Sequence, residues 1–194
     1  MNKVSYALGM SVANNILASG VKNLNVEEFT KALKTVLESG KPELSTNEAQ
    51  QVLNTYFTSL QQEQFKAFKE EGEKFLQENA KKEGVITLAS GLQYKVLANG
   101  NGKSPKASDS VECHYEGRLI NGTVFDSSYQ RGETATFGVT QVIAGWVEAL
   151  QLMKEGDKWQ LYIPYNLAYG EHGAGQSIPP YSALIFDVEL VKVK

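Results

Sequence analysis

The chain has 194 residues, a formal net charge of −3 at pH 7 and 42% hydrophobic residues, which is ordinary for a globular protein. The acidic balance argues against a nucleic-acid-binding protein, because such proteins usually carry a basic patch. No apolar run approaches the roughly 18 residues of a membrane-spanning helix, so no membrane span is expected. The single cysteine, Cys113, excludes an intrachain disulfide and is predicted to be buried in the core. The two histidines do not lie at metal-ligand spacing, so no metal is predicted. No cofactor is predicted either, because "NGNGKS" lacks the first glycine of a phosphate-binding loop and has Leu97 in its place.

The first predicted element is an amphipathic helix at the N-terminus. Val4, Leu8, Val12 and Ile16 recur every four residues, which places them on one helical face. Interspersed serines and asparagines dilute the apolar run, and no Ala-x-Ala cleavage site follows. We therefore expect a cytoplasmic protein; the alternative is a periplasmic one, if a signal peptide was removed before residue 1.

Two capping boxes mark the beginnings of the next two helices. Asn25 with Glu28 opens the first, which a glycine and a proline then stop, and Ser45 with Glu48 opens the second. No proline follows before Pro105, so the second helix is predicted to continue to about residue 82, a length of about 50 Å.

This long helix changes character along its length. Its first part has one apolar face, whereas the second part is mostly charged, with Phe65, Phe68 and Phe75 spaced along it. The pattern favours a dimerisation bundle that leads into a solvated stalk helix, either straight or bent near Gly72. The alternative is a helix that folds back on its own C-terminal half.

From about Val85 the hydrophobic residues alternate with polar ones, which is typical of β-strands. Asn121-Gly122 predicts a hairpin, and Gly145-Trp146 marks the beginning of one short helix among the strands. The predicted fold class is therefore α+β. Residues 1–83 form a helical domain, and residues 84–194 form an antiparallel sheet with a helix laid across it.

Five aromatic residues lie at strand ends or beside turns, and the set comprises Tyr115, Phe125, Trp146, Tyr169 and Phe186. Asp126 directly follows one of them, and Arg131 lies five residues further on. Together they predict an apolar cup with a few fixed polar groups, the usual composition of a small-ligand pocket. Trp146 is interpreted either as core filler or as the floor of that pocket.

The second half resembles the FKBP-type peptidyl-prolyl cis-trans isomerases through "HYEGRLINGTVFDSS", "VIAGW", "LAYGEHGAG" and "IPPYSALIFDVELVKV". The helical half, beginning with "SYALGMSVANNI", resembles the two-domain bacterial branch related to the macrophage infectivity potentiator proteins. The resemblance implies a half-barrel wrapped on the short helix and a homodimer formed through residues 1–60. It also implies isomerase and chaperone activity on proline-containing unfolded or partly folded polypeptides, and binding of macrolide inhibitors.

The resemblance also implies roles for individual residues. The catalytic positions would be Asp126, Tyr169, Phe125 and Ile143, and the substrate-binding positions would be Tyr115, Arg131, Val142, Trp146, Ile178 and Phe186. In this assignment the Ile143 backbone N–H meets a substrate carbonyl. Ala135 replaces an aromatic wall residue of many members, and Ser177 replaces a larger loop residue; both changes bear on inhibitor affinity.

Catalysis by such a cup needs no nucleophile, because the barrier lies in the resonance of the peptide bond, about 18–20 kcal/mol. An apolar pocket disfavours the twisted amide less than the planar one, since twisting removes charge separation. Asp126 is interpreted as a group that orders the pocket, and a plain ion pair is the equal alternative. The alternative function is a non-catalytic proline-binding chaperone.

Overall fold

The computed structural model describes residues 1–194, which fold as two compact units, 1–62 and 63–194. The helices are α1 (Lys3–Ala18), α2 (Val26–Leu37), α3 (Thr46–Asn79), α4 (Ser128–Arg131) and α5 (Ala144–Leu152). The strands are β1 (Val85–Thr87), β2 (Gln93–Ala98), β3 (Ser110–Leu119), β4 (Val124–Ser127), β5 (Ala135–Gly138), β6 (Lys158–Ile163) and β7 (Leu184–Val193). No helix combines the length and the apolar character that crossing a bilayer would demand.

The first unit contains α1, α2 and the first part of α3, and side-chain caps fix where its helices begin. Asn25 accepts hydrogen bonds from the backbone N–H groups of Glu27 and Glu28, at 3.0 and 3.2 Å. Ser45 and Glu48 cap each other reciprocally, each accepting from the other's backbone N–H at 3.3 and 2.9 Å. The predicted helix beginnings are therefore confirmed, because a cap is a local feature of the sequence.

Helix α3 is continuous through Gly72 and ends at Asn79. Its residues from 63 onward belong to the second unit. The Phe75 ring lies 6.1 Å from that of Tyr162 on β6, and Asn79 is buried and donates to the side chain of Gln93 at 2.9 Å.

Residues 63–79 therefore do not form the predicted solvated stalk. They form the alternative, a helix packed on the C-terminal part of the chain. Gly72 allows a close approach, since a Cβ there would lie 3.1 Å from the Cβ of Ala183. The contacts divide the chain at 62/63 rather than at the predicted 83/84, because this part of the helix is held by the sheet domain.

All seven strands form one antiparallel sheet in the order β1-β2-β6-β7-β3-β4, with β5 also paired to β3. Strand β4 pairs with the second half of β3 and β5 with the first half, so α4 lies between them along one edge. The predicted hairpin at Asn121-Gly122 is confirmed as the connection from β3 to β4.

The core lies between one face of this sheet and α5. Alternate residues of β3 and β7 are buried with Trp146, Ala149 and Leu150 of α5. The helix begins at Ala144, so Gly145 lies inside its first turn rather than before it. The reason for glycine is space, because a Cβ at Gly145 would lie 2.6 Å from Cγ2 of Ile163.

Candidate active site

A cavity of about 420 Å³ opens where α5 meets β3, β4 and β7. Its lining consists of Tyr115, Phe125, Asp126, Phe137, Gln141, Val142, Ile143, Trp146, Tyr169 and Phe186. Eight of the ten residues assigned to the site from the sequence are brought together here. The two exceptions are Arg131 and Ile178, which do not line the cavity.

Trp146 is both part of the core and part of the cavity wall. Its side chain is 4% exposed, and its ring meets three other aromatic rings in edge-to-face arrangements, a favourable geometry for aromatic pairs. The centroid distances are 5.4 Å to Tyr115, 5.8 Å to Phe137 and 5.4 Å to Phe186. The two interpretations of Trp146 are therefore compatible, since packing on its sides leaves part of the indole facing the cavity.

Ile143 precedes α5 directly and presents a backbone donor at the cavity. Its extended conformation, with φ −60° and ψ 150°, places it at the N-cap position without a side-chain cap. Its carbonyl accepts from the backbone N–H groups of Trp146 and Val147, whereas its own N–H makes no hydrogen bond within the chain. A donor at this position can therefore bind a carbonyl oxygen that enters the cavity.

The polar part of the cavity is one carboxylate with two donors. The Tyr115 hydroxyl donates to Oδ2 of Asp126 at 2.5 Å, and Arg131 pairs with Oδ1 of the same carboxylate. Arg131 also donates from Nη2 to the Tyr115 hydroxyl at 3.0 Å. Burial alone would raise the pKa of Asp126, but the hydrogen bonds from Tyr115 and Arg131 outweigh it and hold that pKa below its ordinary value. Asp126 therefore stays ionised at neutral pH.

Helix α4 holds Arg131 in place, and a buried serine fixes this helix to the sheet. The Ser128 hydroxyl accepts from the backbone N–H of Tyr115 at 2.7 Å and donates to the carbonyl of the same residue at 3.2 Å. Ser127 caps the helix by accepting from the N–H of Gln130 at 3.3 Å. Arg131 thus acts on the cavity through Asp126 and Tyr115.

Gly117 on β3 makes room for two of the aromatic walls. A Cβ at this position would lie 2.5 Å from Cε1 of Phe186 and 2.6 Å from Cε2 of Phe125. These two rings meet edge to face with centroids 5.5 Å apart. No side chain other than hydrogen fits at this position without moving a ring of the cavity.

Tyr169 lies at the rim, in the connection between β6 and β7. It follows a short 3-10 helix, Tyr165–Leu167, and is 40% exposed. Burial, followed by the nearby charge of Asp126, raises the pKa of its hydroxyl, so it remains protonated at neutral pH and can donate. Further along this connection, Ile178 is buried in the core and pairs with Ala174 through two backbone hydrogen bonds. It supports the loop rather than lining the cavity.

Two family models together cover nearly the whole chain. The model described as FKBP-type peptidyl-prolyl cis-trans isomerase matches residues 101–191, and the model described as the domain amino terminal to it matches residues 1–96. The chain belongs to the FKBP-type peptidyl-prolyl cis-trans isomerase family.

Some relatives of this FKBP-type isomerase match it over nearly its full length, and others over part of it. The FKBP-type 22 kDa peptidyl-prolyl cis-trans isomerase of Escherichia coli is 45% identical, and the match covers 98% of this chain and 94% of the relative. The Mip isomerase of Coxiella burnetii is 58% identical over 64% of this chain and 54% of its own. The crystal structure of FkpA from Escherichia coli superposes with a TM-score of 0.80 at 35% identity, covering 99% of this chain and 95% of that one. The predicted family, fold class and enzymatic activity are thereby confirmed.

Sequence reasoning about this FKBP-type isomerase missed four residues of the site. Phe137 lines the cavity and could have been found, because it lies two residues after Ala135 on the same face of a strand. Gly117 carries a weaker signal, since a glycine within a strand often marks close packing. Gln141 and Ser128 carry no signal of their own in a single sequence.

Proposed function

We propose that the cavity binds the proline ring of an X-Pro segment against Trp146 and favours the twisted form of the preceding peptide bond. The observation that supports this role is a buried indole that still faces an open, mostly aromatic cavity of about 420 Å³. That volume falls within the range of roughly 300–1,000 Å³ in which small-ligand pockets usually lie.

The catalytic effect comes from differential binding of the planar and twisted amides. Resonance gives the planar amide its charge separation, and an apolar wall disfavours the twisted form less than it disfavours the planar form. The free N–H of Ile143 holds the substrate carbonyl, and the Tyr169 hydroxyl donates to the same peptide. Each tenfold increase in rate requires the site to favour the twisted amide over the planar one by about 1.4 kcal/mol.

Asp126 orders the site in this proposal and does not transfer protons. Its lowered pKa makes it a poor general acid or base at neutral pH, since a catalytic pKa lies near the working pH. Its two oxygens instead hold the hydroxyl of Tyr115 and the guanidinium of Arg131. The carboxylate therefore keeps the Tyr115 ring in the orientation in which it packs against Trp146.

Substitution of each tryptophan in turn tests the role of the cavity floor. Trp146→Phe removes part of the floor, and we expect kcat/KM for a short X-Pro peptide to fall about fivefold, equivalent to about 1 kcal/mol of lost contact. Trp159→Phe is the matched control, because Trp159 is also buried but stacks on Tyr94 at 4.2 Å, away from the cavity. Equal rates for the two variants, both folded, would contradict the proposal.

We also propose a homodimer formed through residues 1–60. Leu60 is the only buried residue in the first unit, although its helices carry many exposed apolar side chains, including Val4, Leu8, Val12, Leu33, Val36, Leu53 and Phe57. Helices are stabilised mainly by burying an apolar face, and large exposed apolar patches usually mark an interaction site. A second copy of the same unit would cover these faces.

Sedimentation of the full chain tests this proposal, with twice the mass of one chain expected at micromolar concentration. Leu8→Glu should shift the equilibrium toward monomer, because it places a charge on the apolar face of α1. Asn14→Glu adds the same charge at an exposed polar position on the other side of that helix and should leave the dimer intact. A monomeric wild-type chain would refute the dimer.

A chaperone contribution is the second proposed function, supported by the open, mostly aromatic cavity, which could hold a proline-containing segment without catalysing its isomerisation. Suppressed aggregation of a client that has no slow prolyl bond would separate the chaperone function from catalysis.

Macrolide binding and a cytoplasmic location are further proposals. Titration with a macrolide checks the first, with Phe137 supplying an aromatic wall near Ala135. Cell fractionation checks the second.

A further inference from the structure

The connection between β6 and β7 carries Tyr169 to the cavity, and its two ends are fastened together beside that residue. The N–H of Gly170 donates to the carbonyl of Tyr165 at 2.9 Å, and the N–H of Tyr181 donates to the carbonyl of Gly170 at 3.0 Å. Gly170 directly follows Tyr169. The backbone next to Tyr169 is thus hydrogen-bonded to both ends of the loop. The position of Tyr169 therefore depends on where those two ends are held.

Tyr181 adopts an unusual backbone conformation at one of these ends. Its φ is +59°, in the left-handed region that bulky residues rarely occupy. Such a conformation persists only when the surrounding structure determines it. Two prolines precede Tyr181 in the chain, and its N–H is bound to Gly170. The remaining contacts are made by its side chain.

Those side-chain contacts are with helix α3, with Tyr165 at the other end of the loop and with the carboxylate of Glu171. The Phe65 ring lies 5.9 Å from the Tyr181 ring, which in turn lies 5.2 Å from the ring of Tyr165. One turn further along α3, the ammonium group of Lys69 lies 5.6 Å from the centre of the Tyr165 ring, within range of a cation–π interaction. Both ends of the loop therefore rest on the same helix, outside the cavity.

We propose that Phe65 is a positioning residue for the isomerase site, acting through Tyr181 and Gly170 on Tyr169. The side chain of Phe65 does not line the cavity. Its ring instead braces the Tyr181 ring in the conformation that fastens the loop, and so fixes how far Tyr169 reaches over the bound peptide. Residues 63–79 of α3 are in this sense a part of the enzyme's active-site support.

The experiment compares two phenylalanines of the same helix in the full-length chain. Phe65→Ala removes the brace, whereas Phe75→Ala removes an equal ring that contacts Tyr162 on β6 and not the loop. We expect Phe65→Ala to lower kcat/KM for a short X-Pro peptide on the order of fivefold, since small misplacements of site residues cost rate. We expect Phe75→Ala to leave the rate unchanged, and Phe65→Tyr, which restores the ring, to recover it.

Amide hydrogen exchange gives a readout that a general loss of stability would not reproduce. The N–H groups of Gly170 and Tyr181 should exchange at least about tenfold faster in Phe65→Ala than in Phe75→Ala. Phe65→Leu keeps apolar area and should give an intermediate effect on both rate and exchange. This variant takes the place of Phe65→Ala in the comparison if the alanine variant folds poorly. Equal isomerisation rates and equal exchange for the two alanine variants would overturn the proposal. Faster exchange in Phe65→Ala without a change in its isomerisation rate would overturn it as well. The inference rests on the proposed role of the cavity, which the tryptophan variants test independently.

Discussion

Replacing Asp126 by asparagine removes one charge from the cavity while keeping the shape of the side chain. The carboxylate accepts from Tyr115 at 2.5 Å and pairs with Arg131, whose side chain is 43% exposed. An ion pair this open to solvent contributes little. A hydrogen bond to a charged acceptor is worth about 1.5–3 kcal/mol, and a neutral one about 1 kcal/mol. The half-exposed site favours the lower end of the first range, so Asp126→Asn should lose about 0.5 kcal/mol.

The expected consequence for catalysis follows from the same figure. If the lost interaction serves the twisted form of the substrate, kcat/KM should fall about twofold, since 1.4 kcal/mol corresponds to tenfold. Exchange spectroscopy of an X-Pro peptide measures this rate without a coupled protease. Urea unfolding of the same sample gives the change in the free energy of unfolding, which should also be about 0.5 kcal/mol.

Asp187→Asn is the matched control for this change. Asp187 on β7 also accepts from an arginine and one further side chain, Arg118 at 2.6 Å and Gln160 at 2.7 Å, but it does not line the cavity. We expect a similar loss of stability and no loss of rate. An unchanged rate for folded Asp126→Asn would refute the ordering role and leave Asp126 as a plain ion pair.

The further predictions concern pH, thiol reactivity and packing. The rate should be flat from about pH 6 to 8, because the pKa of Asp126 is lowered and that of Tyr169 is raised; a bell-shaped profile would contradict this. The depressed pKa of Asp126 stabilises the fold above the unfolded carboxyl value of about 3.9, and urea midpoints should fall as pH drops through its lower folded pKa. Burial raises the pKa of Cys113 to about 12, so a thiol reagent should react only after unfolding. Gly117→Ala should cost about 1–3 kcal/mol by overpacking and lower the rate by displacing Phe125; wild-type midpoints and rates would refute that.

Local signals determined much of the fold from the sequence. The capping residues Asn25 and Ser45 fixed the beginnings of two helices, because a cap depends only on the few residues around it. Alternation of apolar residues determined the strands, since the two faces of a sheet differ in burial. The Asn121-Gly122 hairpin followed from the backbone conformations that these two residues accept.

Which residues meet at the site depended more on the tertiary structure than on local sequence. The resemblance to a family supplied eight residues that line the cavity, including Trp146 and Ile143, but Arg131 and Ile178 support it from outside. Ser128 was not predictable, because its bond to Tyr115 depends on α4 lying against the edge of β3. Gln141 faces the cavity only because of the path of the chain before α5.

The second part of α3 shows most clearly what a sequence leaves open. Its sparse phenylalanines among charged residues are compatible with a solvated helix and with a packed one, because a narrow apolar stripe is stable only if a matching surface exists. That surface is formed by Tyr162, Tyr181 and Ala183, which lie about a hundred residues later in the chain. The helix itself was determined by local sequence, whereas its packing was decided by residues that only the folded sheet brings to it.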